Sequence, residues 1–306
     1  MVLHERDFAN LCDVRVHEPH LIGAAYATRK RRASLTTGGV MFIVAADHTA
    51  RGMVGLGGDP YAMADRRSML QRLLLALDNP RVDGVLASAD IMDDLVLLGA
   101  LENRIAVGTM NRGGIANSAW GLDDRFTAYD ADHIVRQNLD AGKMLLRIHY
   151  DDAGTLNTLH ECSRAVQQLA DHQVLAMVEP IPYITNTAGH HVWDDDPERL
   201  VRAVGISAGL AASSAYNWLK IQATDDVERV ARVTNQPLLL LGGAPGPDPD
   251  HTYSLWEKGL NQPTVRGLVI GRSLLYPNDG DVELAVDRAA KLVDTASHAK
   301  STGRTS

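Results

Sequence analysis

Cysteine is almost missing from this chain, with Cys12 and Cys162 alone among 306 residues and no paired spacing between them. That excludes a disulfide framework or a zinc knuckle and fits a reduced, cytoplasmic setting. Long apolar runs are missing too, so no segment is expected to span a bilayer. The start, "MVLHERDFANLCD", carries charges where a signal peptide needs an apolar core. Positive charge is in deficit: a formal net charge of −8 argues against a nucleic-acid partner. The one basic cluster, "RKRR" at 29–32, follows an alanine-rich helical stretch, where cations suit the negative end of a helix dipole. No internal repeat, interdomain linker or glycine-rich turn after the first strand-like run is present.

What is there is an alternation. Hydrophobic residues make up 45% of the chain and charged residues 22%, enough to bury one large core. Short runs rich in branched aliphatics occur at 41–46, 82–87, 104–109, 143–149, 174–179, 216–221, 237–241 and 267–270. They read as strands buried on both faces. Stretches with apolar residues three and four apart, among them 61–78, 155–171, 196–211 and 225–233, read as helices. Strands followed by helices imply a parallel α/β fold, and their number and the chain length favour a single closed (β/α)8 barrel. An open doubly wound sheet is the alternative; "AADHTARG" after the first run lacks its glycine-rich turn. Residues 1–40 are expected as a helical extension capping the barrel floor, 41–296 as the barrel and 297–306 as a frayed polar tail.

Barrels of this kind gather their chemistry at the C-terminal strand ends. There the sequence places Asp47 and His48 after the first run, and Lys143, Arg147 and His149 in the fourth. Glu179 ends the fifth, with Tyr183 just beyond, and Lys220 lies in the sixth, "YNWLKI". An unpaired buried charge costs several kcal/mol, so two lysines and two carboxylates at one mouth need a reason. A lysine desolvated beside another cation becomes a nucleophilic amine near neutral pH and can attack a carbonyl. Its iminium withdraws electrons while a neighbouring carbon–carbon bond breaks, and a carboxylate moves the protons. Lys220, Lys143 and Glu179 supply that set. The plainer alternative is that Lys220 is half of a buried ion pair with Asp47 or Glu179. "LLLLGGAPG" and "LVIGRSL" put Gly242, Gly243, Gly271 and Arg272 at the last two strand ends, where backbone N–H groups and a guanidinium suit a phosphate; tight turns alone would also use these glycines.

These segments, over roughly residues 40–295, resemble the class I aldolases of the deoxyribose-phosphate and tagatose-bisphosphate aldolase superfamily, including the archaeal-type fructose-bisphosphate aldolases. "MFIVAADHTARG", "KMLLRIHYDDAG", "AMVEPIPY", "NWLKIQATDD" and "GLVIGRSLLYP" carry the likeness in order. The resemblance implies Lys220 as Schiff-base lysine, Glu179 as proton-transfer group, Lys143 as second lysine and Asp47 as strand-one carboxylate. The archaeal enzymes place a tyrosine just after the fifth strand; here Ile181 stands near that place and Tyr183 two residues later. The chain also resembles an actinobacterial branch associated with inositol catabolism, which implies 2-deoxy-5-keto-gluconate 6-phosphate as substrate. No cofactor is expected, the partner is a small phosphorylated sugar, and barrel aldolases often form homo-oligomers. A metal-dependent aldolase would draw on Asp47, His48, His149 and Glu179, with His190 and His191 nearby. The sequence has no HxxxH spacing, and no metal is expected. A non-catalytic sugar-phosphate-binding barrel would have no use for both lysines.

Overall fold

The computed structural model describes residues 2–112, 115, 118 and 120–302. Two helices, α1 (Glu5–His17) and α2 (His20–Thr28), precede β1 (Met41–Ala46). Then come α3 (Arg66–Asp78), β2 (Gly84–Ala87), α4 (Ala89–Leu97), β3 (Ile105–Thr109), α5 (Ala131–Arg136) and β4 (Ala141–Ile148). The second half holds α6 (Gly154–Asp171), β5 (Leu175–Thr185), β6 (His191–Trp193), α7 (Pro197–Ala208), β7 (Asn217–Gln222) and α8 (Val227–Ala231). It closes with β8 (Leu238–Leu241), α9 (Pro249–Leu260), β9 (Val265–Ile270), α10 (Arg272–Leu275) and α11 (Val282–Thr302).

All eight expected strands are present, and every pairing between them is parallel. The pairing of β4 with β5 closes the ring, so the sheet is a barrel and not an open layer. The reason lies in a two-residue alternation. Met41, Ile43 and Ala45 of β1 join Leu86, Ile105, Val107, Ala141, Leu175, Met177, Leu239 and Val269 in an inner cluster. Phe42, Val44 and Ala46 face the helical ring instead. With both faces buried, each strand is apolar throughout, and only parity tells inside from outside. β6 was not expected: it folds back antiparallel on the far end of β5, pairing Tyr183 with Trp193. Its three residues are too few to show a pattern.

The helices start where side-chain oxygens take up orphan backbone N–H groups. Asp65 caps α3, so the helical reading of 61–78 begins late, and Asp196 caps α7 with Pro197 in its first turn. α8 is shorter than 225–233.

The N-terminal extension differs from the expected floor cap. α1 and α2 lie on the outer ring, with Arg15 meeting Asp94 of α4 at 2.7 Å and Tyr26 donating to Asp93. The segment 29–40 covers the floor instead, and its Leu35 packs against the inner cluster. The "RKRR" cations act there through distant carboxylates more than through a helix dipole. Arg29, fully buried in its side chain, pairs with Asp140 at 3.2 Å and donates to the carbonyls of Arg104 and Asn138. Arg31 reaches Asp140 as well, and Arg32 pairs with Asp83. Replacing Arg29 by alanine should therefore lower stability by about 3 kcal/mol, because it strips a buried carboxylate of one partner. A fall in the urea midpoint at unchanged m-value would report it; an unchanged midpoint would mean that Arg31 alone suffices. The frayed tail expected from 297 is helical up to Thr302, held by Ser297 donating to Thr37 O and Lys300 to Gln262 O. Residues 303–306 lie outside the described residues. No helix among the described residues is long and apolar enough to cross a membrane.

Candidate active site

Parity carries four charged residues into the barrel mouth. Asp47 continues the inward series of β1, Lys143 follows Ala141 on β4, Glu179 follows Met177 on β5, and Lys220 follows Trp218 on β7. Each sits one layer above the apolar interior. Lys143 is 0% exposed, Lys220 6% and Glu179 7%.

Their contacts form a chain. Lys220 Nζ donates to Glu179 Oε2 at 3.0 Å. The same oxygen lies 2.8 Å from Lys143 Nζ, which also donates to Asp47 Oδ2 at 3.2 Å. Asp47 Oδ2 accepts from Thr109 Oγ1 at 3.2 Å and lies 3.5 Å from Arg51 Nη1. Asp47 Oδ1 is buried with no hydrogen-bond partner among the described residues.

The electrostatics follow. Burial drives the Lys220 amine below its ordinary pKa; Glu179 pulls it back up and the Lys143 cation pushes it down again. Burial would raise Glu179, but Lys143 and Lys220 outweigh it and hold the carboxyl at about 2. Asp47 is likewise held well below the carboxylate range, Arg51 and Lys143 overcoming desolvation. His48 is pushed well below its ordinary value by burial and by Arg51, so it is a neutral ring at pH 7. The site thus offers a desolvated amine, an ionised carboxylate in hydrogen-bond reach of it, and a second ammonium bridging to Asp47.

Other expected residues are placed differently. Tyr183 lies four residues beyond Glu179, roughly 13 Å along an extended strand. Its ring sits under the Arg147 guanidinium at 5.3 Å, and Arg147 donates to Gly121 O. His149 Nε2 meets Thr185 Oγ1 at 2.9 Å and its ring stacks on His191 at 4.9 Å, while His190 is exposed. Of the residues named for a metal alternative, Asp47 and Glu179 are both engaged by Lys143, and His149 stands apart with Thr185 and His191. Among the described residues no group of three or more His, Cys, Asp or Glu could hold a metal ion.

The glycines divide. A Cβ on Gly242 would lie 2.5 Å from Ile270 Cγ2, and one on Gly271 would lie 2.5 Å from Ala45 O. Those two have packing reasons of their own. Gly243 alone has a left-handed φ of 66° and open space around it. Arg272, directly after Gly271, is half-buried, and its Nε has no partner.

Three participants carry no signal that the sequence reading used. Arg51 is 7% exposed, returned to Asp47 by the single 3-10 turn Thr49–Arg51. Thr109 ends β3 facing Asp47. Asn111, fully buried, accepts from Leu145 N at 2.6 Å and donates to Leu145 O at 2.7 Å, bracing β4 two residues past Lys143.

A family model described as Cgl0159-like matches residues 39–290. The chain belongs to the Cgl0159-like family. A crystal structure of Cgl0159 from Corynebacterium glutamicum is 43% identical, covers 96% of this chain and 99% of that one, and superposes with a TM-score of 0.93. An archaeal fructose-1,6-bisphosphate aldolase, solved with its catalytic lysine covalently bound to the carbinolamine intermediate, is 18% identical. It covers 89% of this chain and 99% of that chain at a TM-score of 0.63. The fructose-bisphosphate aldolase of Slackia heliotrinireducens is 14% identical, with 94% and 92% covered and the same TM-score of 0.63. At these identities the likeness to the aldolases speaks for the barrel fold. No curated protein matches the chain.

Proposed function

We propose that the chain is a class I aldolase that cleaves or forms a carbon–carbon bond of a phosphorylated keto-sugar through a Schiff base on Lys220. The observation that carries this reading is the hydrogen bond from the buried Lys220 amine to Glu179, beside the second cation Lys143. Desolvation raises the neutral-amine fraction, which is what attack on a ketone requires. The neutral Lys220 nitrogen adds to the carbonyl carbon, and the resulting carbinolamine takes up one proton from solvent and loses water to give the iminium. Glu179 then takes the proton of the substrate hydroxyl as the carbon–carbon bond breaks. The bonding pair flows into the iminium, which becomes a neutral enamine. With that charge gone, one of the cations that depress Glu179 disappears, and the carboxyl holds its new proton better. Gly242, Gly243, Gly271 and Arg272 are the groups proposed to receive the substrate phosphate. The likeness to the inositol-catabolic branch makes 2-deoxy-5-keto-gluconate 6-phosphate the first substrate to try, cleaved to dihydroxyacetone phosphate and malonate semialdehyde.

The test is borohydride reduction in the presence of a panel of ketose phosphates and dihydroxyacetone phosphate. The expected result is inactivation, with the mass of the reduced ligand on the peptide that holds Lys220. A substrate that turns over without labelling any lysine would defeat the reading.

Lys143 provides a check on the electrostatics. Its cation lowers the Lys220 pKa, so Lys143→Met should raise that pKa and leave Glu179 to Lys220 alone. Neutral amine would then accumulate only at higher pH, and the ascending limb of the kcat/KM profile should move to higher pH. A limb that stays in place would mean that Lys143 does not tune the nucleophile.

A further inference from the structure

The two-residue alternation continues beyond the central charges. On β4 the residues Met144, Leu146 and Ile148 pack into the helix-facing core, so Leu145 and Arg147 share the barrel side with Lys143. On β5 Val178 belongs to the helix-facing core, and Ile181 and Tyr183 follow Glu179 inward. The register sets Leu145 beside Glu179 and Arg147 beside Ile181. Arg147 thus leaves its strand one layer beyond Glu179, about 7 Å further out. Asn111 holds both backbone groups of Leu145, which fixes β4 between Lys143 and Arg147.

Arg147 is a half-buried cation that takes part in no ion pair among the described residues. Its Nη1 donates to Gly121 O at 2.7 Å and its guanidinium lies over the Tyr183 ring. Its Nε is buried with no partner among the described residues. Loop and ring therefore orient the guanidinium without neutralising it, and a half-buried charge left unpaired costs free energy. A carboxylate would supply both the counter-charge and the acceptor, through parallel N–H donors. Strand order shows which part of a substrate reaches it. Round the barrel from β9 come β8, β7, β5 and then β4. Lys220 on β7 and Glu179 on β5 stand between the glycine ends of β8 and β9 and Arg147 on β4. A substrate with its phosphate at those glycines and its carbonyl at Lys220 extends its other end towards Arg147. Leu145, Ile181 and Tyr183 add no second cation there, so the place balances a single negative charge.

We propose that Arg147 is a specificity-determining residue that receives a carboxylate at the end of the substrate remote from the phosphate. The aldehyde released on cleavage is then an aldehyde acid. This rests on the aldolase reading and deepens it, because it names the chemical class of the second product and the residue that selects it. Tyr183 and Gly121 are positioning groups that aim the guanidinium.

The test runs the aldol addition with the intact chain, dihydroxyacetone phosphate as donor and 3-oxopropanoate, its methyl ester or glyceraldehyde 3-phosphate as acceptor. The wild type should favour 3-oxopropanoate over the ester in kcat/KM by about ten-fold or more, the scale of one charge-assisted hydrogen bond. Arg147→Gln should abolish that ratio, chiefly through KM for the acid. Arg147→Lys should restore part of it, because the charge returns without the fork. A ratio that survives in Arg147→Gln overturns the proposal, since a mere prop for Gly121 and Tyr183 would lower acid and ester alike. A preference for glyceraldehyde 3-phosphate that Arg147→Gln removes would make the end group a phosphate and overturn it as well. Borohydride trapping with dihydroxyacetone phosphate alone judges the Schiff base separately, because it needs no acceptor. Should no acceptor turn over, binding of 3-hydroxypropanoate, followed by NMR line broadening, decides the receptor. Binding about ten-fold weaker in Arg147→Gln sustains it, and equal binding or none to the wild type overturns it.

Discussion

Lys220→Met should lose turnover by about 10^4-fold or more, the scale on which removal of a catalytic nucleophile acts. It should also lose all borohydride labelling. The fold should survive. Methionine keeps the apolar stem among the inward side chains of β7, and Glu179 retains Lys143 at 2.8 Å. Removing an amine that burial disfavours also relieves a desolvation cost. This separates the two meanings of a buried lysine at that position. A structural ion-pair partner would, on removal, leave Glu179 short of a counter-ion and lower the unfolding midpoint, with activity following stability. A nucleophile would leave the midpoint near wild type and eliminate the chemistry. Lys143→Met should still label, since its part is electrostatic. An adduct found on Lys143 and not on Lys220 would reverse the two roles.

The strands and the central charges were legible because both obey the same two-residue period. In "NWLKI", Trp218 and Lys220 share one face while Asn217, Leu219 and Ile221 take the other, so a strand reading already aims the amine at the barrel axis. The same parity carries Asp47 and Glu179 inward from the ends of their runs. Arg51 was not legible, because its return to Asp47 depends on one 3-10 turn that no periodicity announces. Nor were the partners of the basic cluster: Asp83 and Asp140 stand 51 and 109 residues along from Arg32 and Arg31. Glycine is ambiguous in the same way. Gly242 and Gly271 read as ligand-binding turns, yet each is also demanded by a neighbour that leaves a Cβ no room. Sequence spacing reports what a chain places on one face; it does not report which distant chain passes close by.

Glu179→Gln should split the reaction in two. The amide cannot accept the hydroxyl proton, so cleavage should fall by about 10^2- to 10^4-fold, the range of a lost general base. Imine formation should persist, because attack by Lys220 precedes that proton transfer. It should even extend to lower pH. Glu179 raises the Lys220 pKa, so its neutralisation leaves burial and Lys143 to depress the amine further, and neutral lysine then exists at lower pH than in the wild type. Trapping yield against pH should therefore shift downward while turnover collapses, a pair of opposite changes that misfolding cannot mimic. Stability gives a second handle. In the folded wild type Glu179 sits at about 2, below its ordinary value of 4.5, so it contributes stability that is present above pH about 4.5 and lost as pH falls towards 2. Glutamine has no such titration, and the acid limb of the variant's stability curve should be correspondingly shallower. A variant that neither labels nor folds differently from wild type would show that Glu179 is needed for imine formation itself, and the proton-transfer role would pass to another group at the mouth.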